Sequence, residues 1–276
     1  MSRSAMQTGM WSAAAAGSAL MLYGLFEARW VRIRREVFVH PKVPDSMEGV
    51  CIALISDLHF GGGFTKARLG RLVSRINGLN PDLVLIAGDF VERREDIDAC
   101  FGVLAGLRAP MGCFGVLGNH DHRAGGPEVE GAMERAGIGC LENRGFRLER
   151  SGGRIRLAGF RNERGGGPDP AAALGNVSEE AFTMVLTHDP DEVDAFEDPR
   201  VPLILAGHSH GGQITLFGLW APFTSSRFGQ KYRGGWVRER GRSILVTRGV
   251  GTTKLPLRFF ARPEIVLLTL RGGDPP

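Results

Sequence analysis

Five short runs constrain most strongly what this chain can fold into: residues 51–56 (CIALIS), 83–88 (LVLIAG), 114–118 (FGVLG), 184–187 (MVLT) and 203–207 (LILAG). Each is aliphatic and unbroken by polar alternation, the pattern of a strand covered on both faces. Between the first two, Leu69, Leu72, Val73, Ile76 and Leu79 share one helical face, Lys66, Arg68, Arg71 and Arg75 point elsewhere, and Thr65 stands where a cap belongs. Strand, amphipathic helix and strand make a βαβ unit, so the chain reads as α/β.

Each run ends in a potential metal ligand. Asp57-Leu58-His59 follows the first, Asp89 the second, Asn119-His120-Asp121 the third, His188-Asp189 the fourth and His208-Ser209-His210 the fifth. Singly, each has an ordinary structural explanation: Asp57 as a helix cap, Asp89 in an Asx-turn, His188 as a hydrogen-bonded core histidine. Together they are different, because the carboxyl ends of strands in an α/β sheet form the crevice where ligands bind. Carboxylate and amide oxygens mixed with imidazoles suit Mn, Fe or Zn, and the lack of cysteine among them argues against a structural zinc cage. Asp57, His59, Asp89, Asn119, His188, His208 and His210 are too many for one catalytic ion, so two divalent or trivalent ions sharing a carboxylate fit better.

Composition narrows the partners. A charged fraction of 23% and a hydrophobic fraction of 43% over 276 residues describe a globular chain rather than a disordered one. Lys+Arg 34 against Asp+Glu 30 is a mild basic excess that suits anionic lipid or phosphorylated ligands. It lacks the clustered charge of a nucleic-acid binder, so no nucleic-acid partner is expected. Cys51, Cys100, Cys113 and Cys140 have no Cys-x-x-Cys spacing and read as free thiols.

The N-terminus poses another problem. Residues 4–26 carry no charge and as a helix would extend about 34 Å, enough for a hydrocarbon core of roughly 30 Å. Arg29, Arg32, Arg34 and Arg35 follow, which by the positive-inside rule places the rest of the chain in the cytoplasm. The expectation is a membrane anchor with a basic juxtamembrane segment over 1–36 and a catalytic domain over 37–271. A cleaved export signal is the alternative.

The series Asp57-x-His59, Gly88-Asp89, Gly118-Asn119-His120-Asp121, His188 and Gly207-His208-x-His210 resembles the calcineurin-like metallophosphoesterase superfamily. THDPD, GHSHGGQI and GVGTTKLPLRFFARPEIVLLTL resemble more closely its bacterial membrane-associated branch of YaeI and YkuE type. The resemblance implies a four-layer α/β/β/α sandwich of two mixed β-sheets flanked by helices. It also implies that Asp57, His59, Asp89 and His210 hold one ion and that Asp89, Asn119, His188 and His208 hold the other. His120 would protonate the leaving group, with Asp121 orienting its ring. The implied activity is hydrolysis of a phosphodiester or pyrophosphate bond at the cytoplasmic face of a bacterial inner membrane.

For the substrate, residues 216–236 mix Phe217, Leu219, Trp220, Phe223, Phe228 and Trp236 with Arg227, Lys231 and Arg233. Such interleaving suits an amphiphilic, lipid-linked phosphate ester or a membrane interface, although aromatics that pack a hairpin onto the second sheet are the reading preferred for this segment. Arg161, Arg248 and Lys254 lie in glycine-rich turns and are candidates for neutralising a substrate phosphate. Some relatives in the branch hydrolyse UDP-2,3-diacylglucosamine for lipid A synthesis, which is an alternative substrate. A non-catalytic scaffold would have lost metal ligands, and none is lost here.

Overall fold

The computed structural model describes residues 3–178 and 181–274, with side chains from residue 15 onward. The first half runs α1 (Arg3–Glu27), β1 (Arg32–Val39), β2 (Cys51–Ile55), α2 (Lys66–Asn77), β3 (Leu83–Ala87), α3 (Ile97–Leu104), β4 (Cys113–Val116), α4 (Asn119–Arg135) and β5 (Ile138–Cys140). The second continues with β6 (Gly145–Arg150), β7 (Gly153–Gly159), α5 (Pro170–Leu174), β8 (Thr183–Leu186), β9 (Leu203–Ala206), β10 (Gly235–Glu239), β11 (Arg242–Val246) and β12 (Glu264–Arg271). The expected βαβ unit is β2-α2-β3, with Leu69, Leu72, Val73 and Ile76 buried and Thr65 accepting a hydrogen bond from the Arg68 N–H at the helix start.

Two six-stranded mixed sheets result, in the orders β1-β12-β2-β3-β4-β5 and β10-β11-β9-β8-β7-β6. Side chains alternate along each strand and both faces are covered, which explains why the runs are aliphatic until their last residues. Ala53 and Ile55 face α2 and α3, while Ile52 and Leu54 face the other sheet, where they meet the layer of Leu157, Met184, Leu186, Leu203 and Leu205. Val185, Ile204 and Ala206 turn outward beneath Phe160, Leu174 and Tyr232. The sandwich flanked by helices is therefore the expected architecture. The central strands β2-β3-β4 and β7-β8-β9-β11 are parallel within each sheet, so their carboxyl ends share an edge.

The N-terminus corrects the sequence reading. Among the described residues no helix is long and apolar enough to cross a membrane, which overturns the expected span and the inner-membrane placement built on it. The run is rich in Ala, Gly and Ser, which favour insertion far less than Leu, Ile or Phe. Its last turns are fastened to the sandwich instead: the buried Glu27 carboxylate accepts the N–H groups of Phe260 and Ala261, and the Gly24 carbonyl accepts that of Arg258. Of the arginines read as juxtamembrane, Arg32, Arg34 and Arg35 belong to β1, where Arg32 (2.6 Å) and Arg34 (3.5 Å) pair with the buried Glu264 of β12. The boundary expected at residue 36 falls inside that strand.

Candidate metal centre

The strand ends converge as the sequence pattern requires, and the backbone is contorted where they do. Asp57, His59, Asp89, His208 and His210 all adopt positive φ, between 47° and 69°. Such conformations are uncommon for residues with a side chain and concentrate at functional sites. Two glycines make room. A Cβ on Gly118 would stand 2.1 Å from Asp89 Oδ1, and one on Gly88, at φ +80°, would meet the Gly118 nitrogen at 2.6 Å and His188 Nδ1 at 2.8 Å.

Three overlapping groups of potential ligands occur among the described residues: Asp57, His59 and His210; His59, Asp89 and His120; and Asp89, His188 and His208, each with its ligand atoms within 4.8 Å of one another. Asp89 Oδ2 lies 3.5 Å from both His59 Nε2 and His188 Nε2, so it stands between them. His210 Nε2 is 3.4 Å from Asp57 Oδ1 and 3.0 Å from His59 Nε2. His188 Nε2 is 3.2 Å from Asn119 Oδ1 and 3.0 Å from His208 Nδ1.

The surroundings determine which ring atoms face inward. A carbonyl only accepts, so the contact between His188 Nδ1 and the Ala87 carbonyl (2.7 Å) places the proton on Nδ1, and Nε2 of the neutral ring turns its lone pair to the centre. The Glu92 carboxylate does the same for His59 through Nδ1 at 2.5 Å. The result is a set of lone pairs and carboxylate oxygens facing one another in a buried space. Asp57 Oδ1, buried, has no hydrogen-bond donor among the described residues. Acceptors without donors suit a cation, so the residues present fit divalent metal.

Local electrostatics agree. Burial alone would lower the pKa of His188, yet Asp89 and Asp57 push it up to about 9. His59 is raised against the effect of burial by Glu92, Asp89 and Asp57. Burial opposes ionisation of Asp89, but His188 and His59 outweigh it and hold its carboxyl below the usual range. His210 is pushed well down by burial and by the neighbouring His59 and Arg258. The centre draws positive charge, and a proton fills the role only when nothing stronger does.

One role implied by the family resemblance changes hands. Asp121 does not orient His120: Oδ1 accepts the N–H groups of Phe90 and Val91 (2.8 and 3.1 Å), and Oδ2 accepts that of Gly118 (2.9 Å). It occupies the third position of α4 and ties that helix start to the Asp89 loop. Its burial, with Asp89 nearby, pushes its carboxyl up to about 7. The residue at His120 Nδ1 is Glu92, at 3.0 Å, whose other oxygen holds His59. The sequence reading stopped at Asp89 and missed it, although Glu92 is only three residues on. Asp189, named at the end of the fourth run but given no role there, lies 3.6 Å from His208 Nε2.

A cavity of about 520 Å³ opens over the centre, with His59, Asp89, Asn119, His120, His208 and His210 on its floor and Ile214, Pro222, Phe223 and Leu255 among its walls. Of the three cations proposed for substrate phosphate, Lys254 lines this cavity. Arg161 does not, being held by Glu142 (3.2 Å) and Glu130 (3.6 Å). Nor does Arg248, which packs along Gly211 and Gly234.

Comparison with known proteins bears on all seven candidate ligands. The family model described as calcineurin-like phosphoesterase matches residues 51–212, which contain every one of them. YkuE of Bacillus subtilis, an uncharacterized metallophosphoesterase, is 32% identical over 284 residues, covering 99% of each chain. The Chlamydia trachomatis protein UDP-2,3-diacylglucosamine pyrophosphatase LpxG is 26% identical over 298 residues, 88% of this chain and 90% of its own. Among solved structures, the 5'-nucleotidase precursor from Thermus thermophilus superposes with a TM-score of 0.50 at 15% identity, over 80% of this chain and 54% of that one, a likeness of fold. The chain belongs to the calcineurin-like phosphoesterase family and is a phosphoester hydrolase.

Proposed function

We propose that the chain hydrolyses a phosphodiester or pyrophosphate bond in an amphiphilic substrate. In this reading Asp57, His59, Asp89 and His210 hold one metal ion, and Asp89, Asn119, His188 and His208 hold a second, with Mn, Fe or Zn suited to the donor set. When bound, such a pair lowers the pKa of water and neutralises charge on phosphoryl oxygens. The protein's own part is positional. Ala87 and Glu92 fix the rings of His188 and His59 so that lone pairs face inward. The His120 side chain lines the cavity with Nδ1 held by Glu92, leaving Nε2 to give a proton to the departing oxygen. Lys254 Nζ sits over the Phe223 ring, 5.4 Å from its centroid, at the cavity wall, where it can meet a phosphate.

The observation that carries the amphiphilic reading is the junction of this cavity with exposed aromatic surface. Leu219 is 81% exposed, Phe217 69% and Phe223 68%. These three side chains therefore do not pack onto the second sheet, whereas Trp236, in the β10–β11 hairpin of that sheet, does pack against the core, as the other reading of the sequence has it. Leu255 is exposed as well and, like Phe223, lines the cavity, and apolar area at the mouth of a polar centre suits an acyl or other apolar tail. The Chlamydia relative is named for a substrate of that class, a nucleotide sugar carrying two acyl chains.

The test compares three substrates with Mn²⁺-loaded protein: bis(p-nitrophenyl) phosphate, UDP-2,3-diacylglucosamine and unacylated UDP-N-acetylglucosamine. Metal-dependent turnover of the first and a higher kcat/KM on the acylated than on the unacylated sugar nucleotide are expected. No metal-dependent turnover of bis(p-nitrophenyl) phosphate would remove the proposed centre. Equal kcat/KM for the two sugar nucleotides would remove the amphiphilic substrate alone.

A further inference from the structure

Arg68, Arg71 and Arg75 lie three and four residues apart on α2, so they stack along one face. Like charges at this spacing weaken a helix. That face does not simply meet solvent. It forms one wall of a second cavity, of about 340 Å³, to which Arg29 contributes a fourth guanidinium and Phe64 and Leu72 an apolar lining. No lining residue is shared with the cavity over the metal centre.

The charge is unbalanced. No Asp or Glu lines this hollow, and none of the four arginines makes an ion pair among the described residues. Several other arginines facing the protein pair with carboxylates, Arg32 and Arg34 with Glu264, Arg161 with Glu142 and Arg242 with Glu239, whereas the wholly buried Arg258 is held by backbone carbonyls. Here the partners are backbone carbonyls, Ala28 and Val250 for Arg68, Val31 for Arg75 and Leu25 for Arg29. These acceptors hold the side chains in place without cancelling their charge. Burial, with Arg29 and Arg71 nearby, pushes the Arg68 guanidinium down to about 10.

We infer that this hollow is a binding site for a phosphate-type anion. Guanidinium groups suit the task, since their planar forks match phosphate oxygens two at a time, and several of them around one hollow give a multivalent anion more than any single surface arginine would. The neighbouring chain exposes Phe26 and Trp30, whose rings stand 5.4 Å apart, with Arg262 over Trp30 at 3.5 Å. The phosphate is therefore either that of a free soluble compound or that of a lipid headgroup whose chains lie along these rings.

The experiment uses the full chain stripped of metal with EDTA, so that phosphate has no metal centre to occupy, beside the double variant Arg71→Gln/Arg75→Gln. Both positions are exposed, and metal-dependent turnover of bis(p-nitrophenyl) phosphate by the reloaded variant serves as the control for folding. One arm follows the thermal midpoint against inorganic phosphate. The other follows sedimentation with phosphatidylcholine vesicles, with and without phosphatidic acid. A phosphate-dependent rise in midpoint that needs about tenfold or more phosphate in the variant supports a site for soluble anions. Sedimentation that requires phosphatidic acid and is lost in the variant, without a response to free phosphate, supports a headgroup site. No response of the wild type in either arm, or the same response from the variant, overturns the inference.

Discussion

The two cavities are opposites in charge and alike in logic. At the strand ends, carboxylates and imidazole lone pairs face one another, and Asp57 Oδ1 lacks a donor. Beside α2, guanidinium groups face one another, and no carboxylate answers them. Ordinary protein polar groups are satisfied internally, so a set unbalanced in either direction marks a place where something else completes the structure. The difference lies in how each set is supported. The acceptors sit on strained backbone at the ends of buried strands, whereas the donors sit on a regular helix with exposed members. The first arrangement costs folding free energy and demands precision; the second tolerates change.

The sharpest way to break the comparison is at Asp89, whose Oδ2 stands 3.5 Å from both His59 of one cluster and His188 of the other. Asp89→Ala is expected to lower turnover of bis(p-nitrophenyl) phosphate by about 10³-fold or more, with a matching fall in bound metal measured by elemental analysis. Retention of a full metal complement would end the shared-carboxylate reading.

His120 and Glu92 separate proton transfer from ligand holding. His120→Ala should lose about 10² to 10⁴-fold in kcat with metal content unchanged. Glu92→Gln should weaken metal binding about 10 to 100-fold through His59 and also slow turnover, because one carboxylate serves both rings. Asp121→Asn should instead lower the thermal midpoint, since that carboxylate holds backbone N–H groups. If Asp121→Asn mimics His120→Ala and Glu92→Gln does neither, the assignment of the His120 partner is reversed.

Removing metal exposes a pH dependence. In the metal-free protein His188 keeps its proton up to about pH 9, against 6.5 for an unperturbed histidine. Between those values the folded chain holds a proton that the unfolded chain has released, so this contribution to stability is complete below about pH 6.5 and is lost as pH rises through about 9. The thermal midpoint of EDTA-treated protein should therefore fall across that window, and His188→Gln should flatten the fall. Bound metal displaces the proton and should flatten it too.

The smallest effect belongs to the other cavity. Arg71→Gln/Arg75→Gln should leave stability unchanged or raise it by about 0.2–0.5 kcal/mol, by relieving like-charge contacts along α2. Chemical denaturation without phosphate measures this, and a loss of more than about 1 kcal/mol would place these arginines in the framework rather than in a ligand site.

How much could be read beforehand depended on range. The five aliphatic runs became β2, β3, β4, β8 and β9 because a strand buried on both faces is hydrophobic throughout, a property visible within five residues. The outer strands were not legible. β1 carries Arg32, Arg34 and Arg35, and only its pairing with β12 makes a strand of what resembles a juxtamembrane cluster. The N-terminal helix formed as its composition suggests, but crossing a membrane needs more hydrophobicity than a lack of charge provides.

The candidate site divides in the same way. Residue type and order alone determined that oxygen and imidazole ligands arrive together at strand ends, because parallel strands in a sheet must end on one side. Which residue serves which was decided only in three dimensions. Asp121 follows His120 directly, yet the helix start turns it to the backbone, while Glu92 approaches the ring from another strand end. Arg161, Arg248 and Lys254 all stand in glycine-rich stretches, yet Glu130 and Glu142 hold the first, and of the three only Lys254 reaches the cavity. Chemical kind is a property of each residue by itself; partnership depends on distances that only the closed fold sets, and Coulomb and hydrogen-bond energies fall away within a few ångströms.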